Sequence, residues 1–127
     1  TDYFLMRSAE AYLIAAEADA RQNGGTTTNT GAGYINALRQ RANTNTLSQY
    51  TLDQILDERA RELYYEGFRR TDLIRYGYFG GNNSGQYLWE WKGGAQNGAS
   101  FPEYRNLYAI PAEDVNANPN LTQNPGY

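Results

Sequence analysis

The sequence predicts a mainly α protein: a tetratricopeptide-like helical hairpin and further helices, followed by a long aromatic- and glycine-rich loop region. Two observations predict the helices. Apolar residues recur at helical spacing through residues 1–76, and the segment Thr51-Leu52-Asp53-Gln54 matches a capping box, which marks the start of a helix. A third observation predicts the loops, because glycine, asparagine and aromatic residues dominate from residue 77 onward and favour turns over regular elements.

Four helices are predicted in the first part of the chain, at about residues 3–22, 31–42, 51–67 and 69–76. The apolar face of the first helix consists of Leu5, Ala9, Tyr12, Leu13, Ala16 and Ala20. The apolar faces of the second and third helices consist of Ile35, Leu38 and Ala42, and of Leu52, Ile55, Leu56, Ala60, Leu63 and Tyr64. The first two helices together are close in length to one tetratricopeptide unit of about 34 residues. One hairpin cannot bury its own apolar face, so it needs other helices packed against it.

The remainder, residues 77–127, is predicted to be loop-rich. Residues 106–110 are expected to be extended or to form a short strand. Pro111 suits the first position of a helical turn that ends near Asn118, with acidic residues at its positive end. The last ten residues contain the turn formers Asn118-Pro119 and Pro125-Gly126. They therefore form neither a helix nor a central strand, and are either disordered or packed down.

The composition excludes several classes of site. The chain of 127 residues has no cysteine and no histidine, which excludes disulfides, thiolate catalysis, zinc–sulfur sites and histidine as a general base or metal ligand. The net charge of -3, with acidic and basic residues interspersed, argues against nucleic acid as a partner. No cofactor is predicted.

Nothing in the sequence predicts a membrane-spanning or targeting segment. No segment approaches the roughly 20 consecutive apolar residues that span a bilayer, and no signal peptide is recognisable. The chain begins at Thr1 directly on a helical pattern. It is therefore expected to be part of a longer protein whose upstream region, with any targeting signal, is absent from this sequence.

Charged residues of the third helix form a stripe, because Glu58, Glu62 and Glu66 are spaced four residues apart. Like charges at this spacing destabilise a helix unless cations neutralise them. Arginines near in sequence can do so, through the pairs Asp57–Arg61, Arg59–Glu62 and Glu66–Arg70. The first helix carries a matching charged stripe. We predict a structural network of ion pairs that locks the helices together, made of Arg7, Glu10, Glu17, Glu58, Arg59, Arg61, Glu62, Glu66, Arg70 and Asp72.

Two other interpretations of these carboxylates concern chemistry. A glycosidase-type hydrolase needs two carboxylates about 5–10 Å apart, and Glu58 and Glu62 are the candidates, although arginine neighbours would keep both ionised. A metal site is disfavoured, since a di-iron helical bundle uses histidine and calcium prefers an oxygen-rich loop. The arginines of residues 68–75 are interleaved with Asp72, so we predict that they join the ion-pair network rather than form a phosphate-binding patch.

The segment Tyr87-Leu88-Trp89-Glu90-Trp91 alternates aromatic residues with others. If the segment is strand-like, Tyr87, Trp89 and Trp91 lie on one side and offer a surface on which sugar rings can stack. The alternative is structural: the rings cover the helices and anchor the glycine-rich loop, as large aromatic residues are more often buried than displayed. These three residues are the candidate ligand-binding residues.

Two linked motifs carry a family resemblance. The run ILDERARELYYEGFRRTDLIRYG and the later run NLYAIPAEDVNANPNLTQNPGY together resemble the C-terminal part of the SusD/RagB family. The positions that match the first motif are Glu58, Arg59, Arg61, Glu62, Leu63, Glu66, Gly67, Arg69, Asp72, Leu73 and Arg75. Beside these motifs the last ten residues are interpreted as an ordered C-terminal strap, with Leu121 and Tyr127 expected to pin it against the helical body.

The resemblance implies a mainly helical outer-membrane lipoprotein of Bacteroidetes, exposed at the cell surface. It implies a protein that binds oligosaccharides, polysaccharides or peptides without cleaving them and delivers them to a SusC-like TonB-dependent transporter. The membrane would be reached only through a lipid anchor outside this sequence. No catalytic or ligand-binding residue is carried over from the family. The alternatives are a helical-repeat module that binds another protein and the carboxylate-dependent hydrolase.

Overall fold

The chain is mainly helical in a computed structural model that describes residues 5–127, as the sequence predicts. The five α-helices of the described residues are α1 (Ser8–Gln22), α2 (Asn29–Arg41), α3 (Leu52–Glu62), α4 (Arg69–Arg75) and α5 (Ala112–Ala117). No strand forms among these residues, which contain only two isolated β-bridges. The chain divides into two compact units, one ending at Arg69 and the other starting at Arg70.

The first helix begins later than predicted. Tyr3, near its predicted start, lies outside the described residues, and Leu5 is exposed ahead of the first helical residue, Ser8. Tyr12 is also exposed, and its ring meets the ring of Tyr34 edge-on, with 5.7 Å between centroids. The buried face of α1 is therefore narrower than the predicted one; its apolar members are Ala9, Leu13, Ala16 and Ala20.

The second helix begins at Asn29, ahead of the predicted position, because the hydroxyl of Thr28 caps it. That hydroxyl accepts a hydrogen bond from the backbone N–H of Gly31, which satisfies one free donor of the first turn. Ala42 follows the last turn and is exposed, so it does not join the buried face. The physical reason is that capping, which the apolar pattern does not report, sets where a helix starts.

The third helix starts at Leu52, directly after the predicted capping box, which is present at Thr51 and Gln54. It ends at Glu62 rather than near residue 67. The cause is left-handed backbone at Tyr65 and Gly67, whose φ angles are 65° and 82°. Tyr64 is consequently exposed and lies off the buried face on which the sequence placed it.

In the first unit, α1 and α2 form an antiparallel hairpin and α3 packs against α1. The direction follows from contacts at both ends, since Asp19 near the end of α1 holds Thr28 ahead of α2, and Tyr12 near its start meets Tyr34. Small side chains on α1 let the helices approach closely. The apolar core consists of Ala9, Leu13, Ala16, Ala20, Ala32, Ile35, Leu38, Tyr50, Ile55 and Leu63. The hairpin is shown, and its tetratricopeptide character stays a prediction.

The turn between α1 and α2 depends on Asp19 and Gly31. The Asp19 carboxylate accepts hydrogen bonds from the backbone N–H of Thr28, at 2.6 Å, and from its hydroxyl, at 2.7 Å. A Cβ atom on Gly31 would lie 2.2 Å from one oxygen of that carboxylate. Gly31 is therefore required where the carboxylate passes close to the first turn of α2.

The second unit is organised around Arg70, at the start of its helical part. The guanidinium lies 3.8 Å from the ring centroid of Tyr108 and 4.9 Å from that of Phe79. It donates to the backbone carbonyls of Arg105, at 2.8 Å, and Asn106, at 3.2 Å. Residues 107–110, which follow, form no strand, so the strand is not realised among the two predicted conformations.

The last residues form an ordered strap, as predicted, but polar groups hold it. The Gln123 amide donates to the carbonyl of Ile110 and accepts from its N–H, both at 2.8 Å. Asn124 donates to the carbonyl of Tyr108 at 2.7 Å. Tyr127 also holds the strap, because its hydroxyl donates to the carbonyl of Leu107 at 2.9 Å, but this partner belongs to the loop-rich second unit and not to the helical body that was expected. Leu121, expected to pin the strap, is 38% exposed.

The helical turn predicted after Pro111 is present as α5, with Glu113 and Asp114 in its first turn. None of the helices in the described part of the chain combines the length and apolarity needed to cross a bilayer.

Candidate functional site

Residues 87–91 form bends and turns rather than the strand that their alternation suggested. The chain folds back on itself just after them: the N–H of Trp91 donates to the carbonyl of Gln96 at 3.3 Å, and the N–H of Ala99 donates to the carbonyl of Lys92 at 2.9 Å. Gly98 allows this close return, since its φ is 77° and a Cβ there would lie 2.7 Å from the carbonyl oxygen of Trp89. The side chains are therefore placed by a compact loop.

Two of the three candidate rings lie together. The ring of Tyr87 stacks on that of Tyr78, with 5.2 Å between centroids and 13° between planes. The ring of Trp89 meets Tyr87 at 6.2 Å and 67°. Among the described residues, the ring contacts of this group do not include Trp91. We call Tyr87, Trp89 and Trp91 the aromatic ledge.

The three rings of the ledge differ in their exposure to solvent. Tyr87 is half-buried because one of its faces covers Tyr78. Trp89 is 41% exposed and Trp91 is 64% exposed, so both indoles are open to solvent. Trp91 also has left-handed backbone, with φ of 66°, a conformation that is costly for a residue with a large side chain. Exposed aromatic faces are the feature that sugar stacking requires.

Beneath the ledge lies Lys92, which sequence reasoning missed. Its side chain is 2% exposed, and the ammonium donates to the carbonyls of Ser84, Tyr87 and Tyr78 at 2.8, 2.9 and 3.2 Å. The nitrogen lies 5.1 Å from the ring centroid of Trp89 and 5.8 Å from that of Phe101. One signal was available, because Lys92 is the single basic residue in residues 77–104.

The predicted ion-pair residues of the first unit form a cluster on α3. Glu58 receives the guanidinium groups of Arg39, at 2.6 Å, and Arg61, at 2.7 Å. Glu62 receives those of Arg7, at 2.7 Å, and Arg41, at 2.6 Å. Each carboxylate is therefore held between two arginines. Sequence reasoning missed Arg39 and Arg41, although two cations in the last turn of α2 could have indicated an acidic partner.

Arg7 links two carboxylates, because it also pairs with Glu66 at 2.7 Å and donates to the backbone carbonyl of Glu62. The hydrogen bonds that Arg7 donates to Glu66 and then to Glu62 raise the pKa of Arg7 further above its ordinary value, against the opposing effect of burial. Burial acts to raise the pKa of Glu62, but hydrogen bonds from Arg7 and Arg41 outweigh it and the net direction is downward. Glu62 therefore stays ionised at neutral pH.

The other predicted network residues lie in separate places. Glu17 pairs with Arg21 at 2.8 Å on α1. The guanidinium of Arg59 lies 6.0 Å from the ring centroid of Phe68. In the second unit, Asp72 pairs with Arg75 at 3.0 Å and Arg70 donates to the two backbone carbonyls already described. The ion pairs found among the described residues do not include Glu10, which is half-buried.

A polar groove of about 510 Å³ borders the cluster on α3 and is lined by Arg39, Ala42, Thr44, Glu58, Arg61 and Glu62. Both carboxylates of the hydrolase interpretation lie here, and both are engaged by arginines. Within residues 5–127, no three acidic, histidine or cysteine residues come together as a metal site.

Comparison with known proteins places the whole chain in one family. The sequence pattern of the SusD family matches residues 1–127. The starch-binding protein SusD of Bacteroides thetaiotaomicron is 52% identical over 128 residues, covering 100% of this chain and 22% of that protein.

Solved structures agree with the sequence comparison. The surface glycan-binding protein A from Bacteroides uniformis has a TM-score of 0.75 and 30% identity, covering 96% of this chain and 27% of that one. A SusD superfamily protein from Parabacteroides distasonis has a TM-score of 0.70 and 25% identity, covering 98% and 27%. The chain thus spans about a quarter of the length of these relatives. It belongs to the SusD family.

Proposed function

We propose that a protein carrying this chain is a non-catalytic glycan-binding protein of the outer-membrane surface, which passes glycans to a SusC-like TonB-dependent transporter. The observation that carries the proposal is the 52% identity, over all of this chain, with a starch-binding member of the family. Starch binding is a property of that relative. Its extension to this protein rests on the shared family and on the exposed indoles of the ledge.

Within this chain, the aromatic ledge is the proposed glycan contact. Sugars present apolar C–H faces that stack on aromatic rings, and a ring that is already fixed loses little conformational entropy on binding. Trp89 and Trp91 supply exposed faces, and Tyr87 supports the first of them. The half-buried Tyr87 is thus proposed as a support and the two indoles as contacts.

The charges of the loop favour an uncharged glycan. Lys92 is the single lysine or arginine in residues 77–104 and is buried, so this segment displays no cation of its own. Glu90, between the two indoles, is exposed. A sulfated glycan or a polyuronate would place negative charge beside this carboxylate without a compensating cation. Neutral oligosaccharides and polysaccharides are therefore the proposed ligands, in preference to anionic ones.

The test uses the full-length protein without its lipid anchor on native gels that contain soluble starch, another neutral glucan or a polyuronate. Wild-type protein is expected to be retarded by a neutral glycan. The variant W89A/W91A is expected to lose the retardation with an unchanged melting temperature. The matched control is Y64A/Y65A, which removes an exposed aromatic pair from another part of the chain.

Three outcomes decide between the parts of the proposal. Retardation of W89A/W91A equal to that of wild type rejects the ledge as the contact. Absence of retardation of the wild type by every neutral glycan, with retention of peptides instead, rejects the glycan assignment. Failure of a SusC-like transporter from the same bacterium to co-purify with the full-length protein rejects the delivery step.

A further inference from the structure

We infer that Lys92 is the positioning residue of the aromatic ledge, fixing the rings from beneath without touching the glycan. The inference rests on the proposed function, because it assigns Lys92 a part in glycan binding. It starts from an unusual observation: the single lysine of the chain is nearly inaccessible to solvent. A buried ammonium is costly unless its protons are bonded, so its surroundings have to supply acceptors.

The acceptors are backbone carbonyls of the ledge loop itself. A lysine ammonium has three protons, and three carbonyls, of Tyr78, Ser84 and Tyr87, lie within 3.2 Å of it. The Ser84 hydroxyl is 3.5 Å away and also accepts from the N–H of Phe101 at 2.9 Å. One side chain therefore joins three residues of a loop whose regular structure, among the described residues 78–101, is limited to a short 3-10 helix at Lys92–Gly94.

Two of these carbonyls belong to the stacked pair on which the ledge rests. Holding the backbones of Tyr78 and Tyr87 together keeps their rings stacked, and Tyr87 in turn supports Trp89. The ammonium also lies 5.1 Å from the centroid of the Trp89 ring, within the range of a cation–π interaction, so the indole has a second contact beside Tyr87. The indole nevertheless remains 41% exposed to solvent.

Neither methionine nor arginine is expected to replace this side chain. Methionine matches the length and the apolar stem of lysine, but it leaves three buried carbonyls without a donor. Arginine carries a larger planar group that does not fit a site with 2% exposure. Replacement is therefore expected to release the loop and with it the orientation of Trp89, while the helical core of the first unit stays folded.

The experiment labels the full-length protein with 5-fluorotryptophan and follows the Trp89 resonance, assigned by its loss in W89F. In K92M this resonance is expected to shift and broaden, and affinity for a neutral oligosaccharide is expected to fall at least tenfold. The matched control is R105M, which removes an exposed cation from the same unit and is expected to change neither. In a rescue experiment, the thiol of K92C is aminoethylated in the unfolded protein, which is then refolded. This modification restores an ammonium and is expected to restore both the wild-type Trp89 resonance and the affinity.

The outcomes separate this inference from the proposed function. A K92M protein with the wild-type Trp89 resonance and affinity within twofold overturns the role of Lys92, even if W89A abolishes binding. A displaced Trp89 resonance with unchanged affinity overturns the link to binding. Absence of neutral-glycan binding by wild type overturns the proposed function, and the resonance still reports whether Lys92 positions the ring. If K92M does not fold, S84A, which removes the hydroxyl that lies 3.5 Å from the ammonium and also bonds Phe79 and Phe101, is measured in its place against the same thresholds.

Discussion

At the scale of single residues, several positions in this chain are determined by what lies a few ångströms away rather than by local propensity. Gly31 lies inside a helix, where glycine is ordinarily unfavourable, because the Asp19 carboxylate occupies the space of a side chain. Gly33, two positions further along the same helix, has no atom within 4 Å of a Cβ added there. The two glycines form a matched pair for experiment.

Replacing Gly31 with alanine is expected to destabilise the protein by about 1–3 kcal/mol, because the new methyl group must displace the carboxylate that holds Thr28. Replacing Gly33 with alanine is expected to be neutral or to stabilise by about 0.5–1 kcal/mol, since alanine has the higher helix propensity. Urea denaturation of the full-length variants measures both. Equal effects of G31A and G33A would show that the close approach of Asp19 is unimportant.

Glu62 allows a second prediction, about stability and pH. Its pKa is lowered in the folded protein, so its ion pairs stabilise the fold above the ordinary value of 4.5 and lose that effect as pH falls through the lower folded value. E62Q is expected to lower stability at pH 7 by about 1–3 kcal/mol. It is also expected to flatten the loss of stability between about pH 5 and pH 3.

Thermal unfolding at a series of pH values measures the effect, with the exposed Glu90, changed to glutamine, as the control. The same variant tests the hydrolase interpretation. A structural Glu62 predicts a less stable protein that still binds glycan. Glycan turnover by wild type that disappears in E62Q without loss of stability would favour the enzyme instead.

At the scale of elements, capping groups and backbone acceptors determine where each segment begins, ends and attaches. Thr51 and Gln54 start α3 where the sequence indicated, and left-handed backbone at Tyr65 stops it early. The strap is attached in a comparable way, because the amide of Gln123 bonds both backbone groups of Ile110 as a neighbouring strand would. These two side-chain hydrogen bonds stand where backbone hydrogen bonds to a neighbouring strand would otherwise lie.

Changing Gln123 to glutamate is expected to release the strap in part, because a carboxylate still accepts from the N–H of Ile110 but no longer donates to its carbonyl. Hydrogen exchange of residues 107–110 in the full-length protein is expected to accelerate several-fold, with little change in the global melting temperature. The control is N116A, an exposed position on α5. Unchanged exchange in Q123E would mean that Tyr127 and Asn124 suffice to hold the strap.

At the scale of the whole molecule, the main apolar core and the residues proposed to bind glycan belong to different units. The first holds the apolar hairpin and the paired carboxylates, and the second holds the loop, the ledge and the strap. Since Lys92, the single cation of residues 77–104, is buried, neutral-glycan binding should depend little on salt.

The affinity of the full-length protein for a neutral oligosaccharide is expected to change less than twofold between about 0.05 and 0.5 M sodium chloride, because stacking and neutral hydrogen bonds are not screened. Isothermal titration calorimetry at several salt concentrations measures this. The titrations are repeated with E90Q, which removes the exposed carboxylate of the loop and so controls for any salt dependence that arises from Glu90. A tenfold or steeper decline with salt would indicate an anionic ligand and contradict the neutral-glycan proposal.

The sequence by itself determined the helical class, the capping box, the loop-rich second half and the family. These features depend on local rules: apolar spacing along α1 to α3, hydroxyl and amide caps, and glycine and asparagine in turns. Tyr87, Trp89 and Trp91 could likewise be chosen as candidates from residue type alone, and their role in binding stays a prediction.

Only the tertiary structure decided which groups meet. Arg39 and Arg41 reach Glu58 and Glu62 from a different helix, and no spacing within one helix reports such a pair. Likewise, Lys92 gains its partners from carbonyls five to fourteen residues away, along a loop whose course follows no periodic pattern. Local propensities fix the elements, whereas charge pairing and burial between segments distant in sequence depend on the folded backbone.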